Sequence, residues 1–140
     1  MVELVQIRGN GGDSVKYIIM LTIVIGLALM DFVTGLIKAY VKRDISSEKM
    51  RRGGLNKITE ILVMSTACGL EIGISMLGQF YQTPELAGIA GTVTAGAVFT
   101  YIIMMEIVSI LENYGEISPD ATWVSKIIKK LRNFNDKEEK

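Results

Sequence analysis

Three long apolar runs constrain this chain more than anything else in it: residues 17–37, 58–80 and 86–111. A helix rising about 1.5 Å per residue needs roughly 20 residues to cross a hydrocarbon core of about 30 Å, and each run is long enough. In lipid a backbone must satisfy its own hydrogen bonds, which a helix does within one segment. The competing reading is a buried three-helix bundle of a soluble protein, whose connecting surfaces would be too apolar for water. With 49% hydrophobic residues and two prolines in 140, composition sides with the membrane. The expected fold is an all-α integral membrane protein of one domain (1–140), with three transmembrane helices plus a C-terminal cytoplasmic amphipathic helix.

The basic residues orient it. Lys38, Lys42, Arg43, Lys49, Arg51, Arg52 and Lys57 fall in the 38–57 segment, after which no Lys or Arg appears until Lys126. The positive-inside rule makes 38–57 a cytoplasmic loop. A tail at 1–16 and a turn at 81–85, begun again by Pro84, are then external, and 112–140 is a cytoplasmic tail. In that tail Ser118 is expected to cap a helix with Pro119 at its first position. Trp123, Val124, Ile127, Ile128, Leu131 and Phe134 recur there at helical spacing against a basic face that includes Lys126, Lys129 and Lys130. Such a helix lies on the inner leaflet with Trp123 near the headgroups, or else forms a solvated partner-binding helix. Arg51 and Arg52 belong to the same membrane-surface and topology set.

Other chemistry has little to work with. One cysteine, Cys68, and no histidine leave no disulfide framework within the chain and little for zinc or histidine-based acid–base work. No nucleophile–base pair is evident. No catalytic residue, metal, cofactor or nucleic-acid partner is expected.

Four carboxylates, Asp31, Glu60, Glu71 and Glu106, fall in or near the spans. A charged carboxylate at the bilayer centre costs roughly 2.5–3.5 kcal/mol, so each needs a partner, a proton or water. Asp31, Glu60 and Glu106 are near the cytoplasmic helix ends, where ion pairs with Lys38, Lys57 or Arg51 and Arg52 are plausible. Glu71, counted from Ile58, falls near or beyond the midplane, where no basic side chain is expected to reach. On the second span, at about 100° per residue, Glu60, Ala67, Glu71 and Gly78 share one stripe, a candidate pore-lining or assembly face. Ser65, Gly69 and Gly73 form a small-residue ladder opposite, and Gly88 and Thr92 supply matching small positions on the third span. Hiding the acidic stripe while using the small faces points to self-association.

Two segments resemble a known family. "MDFVTGLIKAYVKRDISSEKMRRGGLNK" is similar to the signature of the phage holin family that includes the clostridial toxin-secretion holins, and "EIVSILENYGEISP" resembles that family's second segment. The matching positions are Asp31, Thr34, Gly35, Lys38, Ala39, Ser47, Gly54, Lys57, Glu106, Ser109, Ile110, Glu112 and Asn113. The resemblance implies a protein that forms a large homo-oligomer in the bacterial host cytoplasmic membrane. There it opens lesions that release an endolysin or a large toxin, with no required direct contact to that cargo. Each position also has a plainer reading: close packing at Gly35, hydroxyl bonds back to the helix at Thr34 and Ser109, and helix termination at Asn113. A small selective ion or proton channel and an antiholin-type regulatory subunit remain the alternatives.

Overall fold

The computed structural model describes the backbone of residues 2–80, 82 and 84–138, and the side chains of residues 12, 14–78, 80, 82, 85, 94–134, 136 and 137. The helices are α1 (Val2–Val41), α2 (Ser47–Phe80), α3 (Pro84–Ile117) and α4 (Thr122–Glu138). Among the described residues there is no strand. Stretches long and apolar enough to span a membrane are Ser14–Val41, Ser47–Gly78 and Thr94–Ile117. The protein is thus all-helical with three candidate spans, as its apolar runs require.

The helices outrun the apolar runs. The segment 1–16, expected as a tail, is helical from Val2, and the basic segment 38–57 is helical except at residues 42–46. Ser46 explains the early start of α2: its side-chain oxygen accepts from the Lys49 amide at 3.4 Å, and Glu48 sits in the first turn, where a negative charge suits the helix dipole. Ser47, the family-signature serine, is exposed and sits just inside the helix. The end of α1 is equally well made. The Asp44 amide donates to the Ala39 carbonyl at 3.0 Å and the Arg43 amide to that of Tyr40 at 3.2 Å, the paired bonds of a Schellman motif. Arg43 occupies its left-handed position with φ of 55°, a place usually held by glycine.

The start of α4 differs from expectation. Ser118 does not cap it; instead the Ala121 amide bonds the Ser118 carbonyl at 3.0 Å, closing a turn whose second residue is Pro119, the position a fixed φ favours. The helix begins at Thr122. Likewise α3 continues through Asn113 to Ile117, so Asn113 does not terminate it.

The chain divides into two compact units, one made of Met1–Gly26 with Ile61–Phe99 and the other of Leu27–Glu60 with Thr100–Lys140. In the first, Tyr17, Val24, Met64, Ala67, Cys68 and Ala95 are buried, as is Glu71. In the second, Ala28, Ile102 and Val124 are buried together with Asp31, Glu106 and Asn113. Only 17%, 28% and 17% of the most apolar windows of the three spans is buried within the chain, so most of their surface faces outward. In lipid this carries no penalty.

Replacing Arg43 by glycine removes the left-handed strain of a side-chain-bearing residue and should stabilise the protein by about 1 kcal/mol. Denaturant titration in detergent micelles measures this, and Arg43→Ala should bring no such gain.

Candidate functional site

Lys57 stands on α2 about three turns inside its start, on the face that meets α1 and α3. Its ammonium lies 2.8 Å from Asp31 Oδ2 on α1 and 2.5 Å from Glu106 Oε1 on α3, with Glu60 of its own helix at 3.4 Å. One cation therefore ties three helices together. The Glu106 side chain is 1% exposed, that of Asp31 10% and that of Lys57 17%, so this is a buried cluster rather than a surface pair. It holds three carboxylates against one ammonium. Glu106 Oε2 is buried with no hydrogen-bond partner among the described residues.

Asn113 extends the network about two turns further along α3. Its amide nitrogen donates to Asp31 Oδ1 at 3.0 Å and to Thr34 Oγ1 at 3.2 Å. Thr34 in turn donates to the Asp31 carbonyl at 3.0 Å, the bond back to its own helix expected of a threonine in a span. Both carboxylate oxygens of Asp31 are thereby engaged, one from α2 and one from α3. The helices pack in contact here: a Cβ on Gly35 would lie 3.7 Å from the Asn113 amide nitrogen and one on Gly54 3.8 Å from the Phe32 ring, ordinary van der Waals distances. Gly35, Ala39, Lys38, Ser109 and Asn113 also border a cavity of about 500 Å³ beside Lys57.

Exposed pairs ring the cluster. Lys38 lies 3.6 Å from Glu116, which also pairs with Lys42, while Glu112 pairs with Arg132 of α4. Outside the helices, the hydrogen bond from Lys49, at 2.6 Å, holds the Asp44 carboxyl below its ordinary pKa range. Pairs as exposed as these contribute little to stability.

Glu71 belongs to a second polar group. Its Oε1 accepts from Lys16 at 2.8 Å and from the Tyr17 hydroxyl at 3.0 Å, and the Lys16 ammonium lies 4.6 Å from the centre of the Tyr17 ring. A basic side chain does reach Glu71, contrary to expectation. Counting from Ile58 had measured depth from the far end. Glu71 is nine residues, or roughly 14 Å, from the Phe80 end of α2, and the flexible stem of Lys16 covers the remaining distance. A signal was present in the sequence: 15 residues separate Lys16 from Asp31, and 14 separate Lys57 from Glu71. Antiparallel helices paired at Asp31–Lys57 would carry such a spacing to a second pair. Lys16, Tyr17 and Glu116 are the site residues that reading by motif missed.

The remaining candidates on α2 separate by face. Ala67, Glu71 and Gly78 are buried and Glu60 is half-buried, so the acidic stripe turns toward the interior of the chain. On the ladder, Ser65 and Gly69 are exposed and Gly73 is half-buried, and a Cβ on either glycine would meet nothing within 4 Å. Gly88 and Thr92 lie outside the residues whose side chains are described. Arg51, Arg52, Lys126, Lys129 and Lys130 are exposed.

These features define a three-span helical membrane protein with its helices cross-tied by buried charge. The chain belongs to the bacteriophage holin family, which it matches over residues 14–134, a family without enzymatic activity. No curated protein and no solved structure matches it. The two signature segments meet in space: Asp31 and Thr34 from the first and Glu106 and Asn113 from the second close on each other around Lys57.

Lys57→Met leaves buried carboxylates without their cation and should cost about 3–5 kcal/mol. Glu116→Gln, at the exposed rim, should cost less than about 1 kcal/mol. Unfolding titrations in mixed micelles compare the two, and equal losses would remove Lys57 from its central place.

Proposed function

We propose that this protein is a holin that accumulates in the bacterial cytoplasmic membrane, self-associates, and opens lesions that collapse the membrane potential and release an endolysin or a large toxin to the cell wall or beyond. The observation that carries the reading is the convergence of both signature segments on the Lys57 cluster, within a chain that belongs to the holin family. The N-terminus is outside and the C-terminus cytoplasmic, because the cations gather between the first two spans and in the tail.

Self-association is supported by the outward face of α2. In lipid, small residues let helices of neighbouring copies approach closely, and the Ser65–Gly69–Gly73 face has open space where a partner backbone would pack. The carboxylates are held within each chain, so the lone subunit is a closed form that lipid tolerates. A lesion requires polar groups to face water once copies assemble, and the Glu60–Glu71 stripe is the face with that chemistry.

A selective proton or ion channel is the second reading, favoured by Glu71, whose Oε2 is buried without a hydrogen-bond partner among the described residues. Conductance and cargo separate the two. Induced expression of a holin drops the membrane potential abruptly and lets a co-expressed cytoplasmic endolysin lyse the cells. Growth at full potential overturns the proposal, and a small discrete conductance without passage of a folded protein turns it toward the channel.

Gly69→Leu fills the small face without touching the buried charges. It should delay or abolish lysis and reduce cross-linked oligomers in membranes, while the level of inserted protein stays unchanged.

A further inference from the structure

The apolar positions of α4 divide into two faces. Val124 is 2% exposed, and a Cβ on Gly115 would lie 3.4 Å from it; Ile128 and Leu131 are half-buried. Trp123, Ile127 and Phe134 are instead 50%, 40% and 62% exposed. At about 100° per residue these three fall within about 40° of one another, so they form one outward stripe. Lys126 and Lys130 flank it, both exposed. From Thr122 to Asn135 the helix carries Lys126, Lys129, Lys130 and Arg132 and no acidic residue.

α4 is also fixed in place. The rings of Tyr114 and Trp123 are 5.9 Å apart, and Arg132 pairs with Glu112. These contacts fold α4 back against the last turns of α3, a candidate spanning helix. Together, α3 and α4 enclose an open groove of about 320 Å³ whose lining includes the apolar Met104, Met105, Val108 and Leu131 together with the paired Glu112 and Arg132. The apolar part of such a groove matches an acyl chain.

We propose that α4 is a binding element for anionic phospholipid: its Trp123–Ile127–Phe134 stripe and the α3–α4 groove take up acyl chains, while Lys126, Lys129 and Lys130 hold the headgroup phosphates. The charge complementarity selects the occupant, since three exposed lysines beside an apolar stripe suit an anionic leaflet. Lipid held there pins the end of α3 to the leaflet surface. The inference rests on the membrane-spanning reading of α3 and is independent of whether lesions form.

Trp123 is the only tryptophan, so intrinsic fluorescence of the full chain reports on α4 directly. The chain is reconstituted into vesicles of phosphatidylcholine alone or mixed with phosphatidylglycerol, and Trp123 emission is quenched by lipids brominated near the headgroup end of the acyl chain or by aqueous acrylamide. The expected result is stronger bromolipid quenching and weaker acrylamide quenching in the phosphatidylglycerol vesicles. Each lysine reversed in K126E, K129E and K130E should lower the docked-to-undocked ratio by at least about fivefold, and Phe134→Ser should weaken docking in both vesicle types. Equal acrylamide access in both vesicles, or no response to charge reversal, overturns the proposal. So does a Trp123 shielded from both quenchers, which marks docking against protein, including a second copy. Lysis on expression, scored separately, tells failure of this inference from failure of the holin reading.

Discussion

The contact of Lys57 with Asp31 and Glu106 is the constraint from which the second unit of this protein is built. Apolar helices in lipid gain little by packing against one another, because the surrounding chains are as apolar as their own side chains. Specific pairing must come from somewhere else. Here it comes from one ammonium reached by carboxylates of two other helices at 2.8 and 2.5 Å, with Asn113 holding the opposite side of Asp31. Desolvating these groups is costly, and a buried ion pair can be no more stabilising than an apolar replacement. What it does provide is selectivity: any rotation or slide of one helix that separates the charges leaves a carboxylate stranded in an apolar medium.

The same logic sets what each surface of the chain can do. The groups that lipid rejects are turned inward and partnered, Glu71 with Lys16 and Tyr17 in one unit and the Lys57 cluster in the other. The outward surfaces are apolar or small-sided: exposed Ile, Leu, Val and Met residues cover the first two spans, and Tyr101, Met105 and Tyr114 are exposed on the third. Such a surface suits a lipid environment, and small outward positions such as Gly69 are ones at which helices can approach closely. Each of the two polar groups has a buried oxygen without a hydrogen-bond partner among the described residues, Glu71 Oε2 and Glu106 Oε2.

Much of the architecture could be read before any coordinates. The three apolar runs required three spanning helices, and Pro84 marked the start of the third. The basic segment marked the end of α1, although its residues turned out to be helical from Ser47 because Ser46 caps them. Less could be read of the helix ends: Pro119 looked like a first helical residue, but in the fold it forms a turn ahead of Thr122. Local sequence allows both, and the packing of Val124 against Gly115 decides between them.

What the sequence determines by itself is the class of the protein: apolar run length follows from bilayer thickness, and the two signature segments carry the family. What tertiary structure alone decides is the partner of each charge. Asp31 and Glu106 are far apart along the chain, and nothing local says that Lys57, rather than Lys38 or Arg51, stands between them. Glu71 shows the same dependence, since its partners Lys16 and Tyr17 lie 55 and 54 residues away. Periodicity places a side chain on a face of its own helix. The rotation and register of neighbouring helices, set by where buried charge can be neutralised, determine what that face meets.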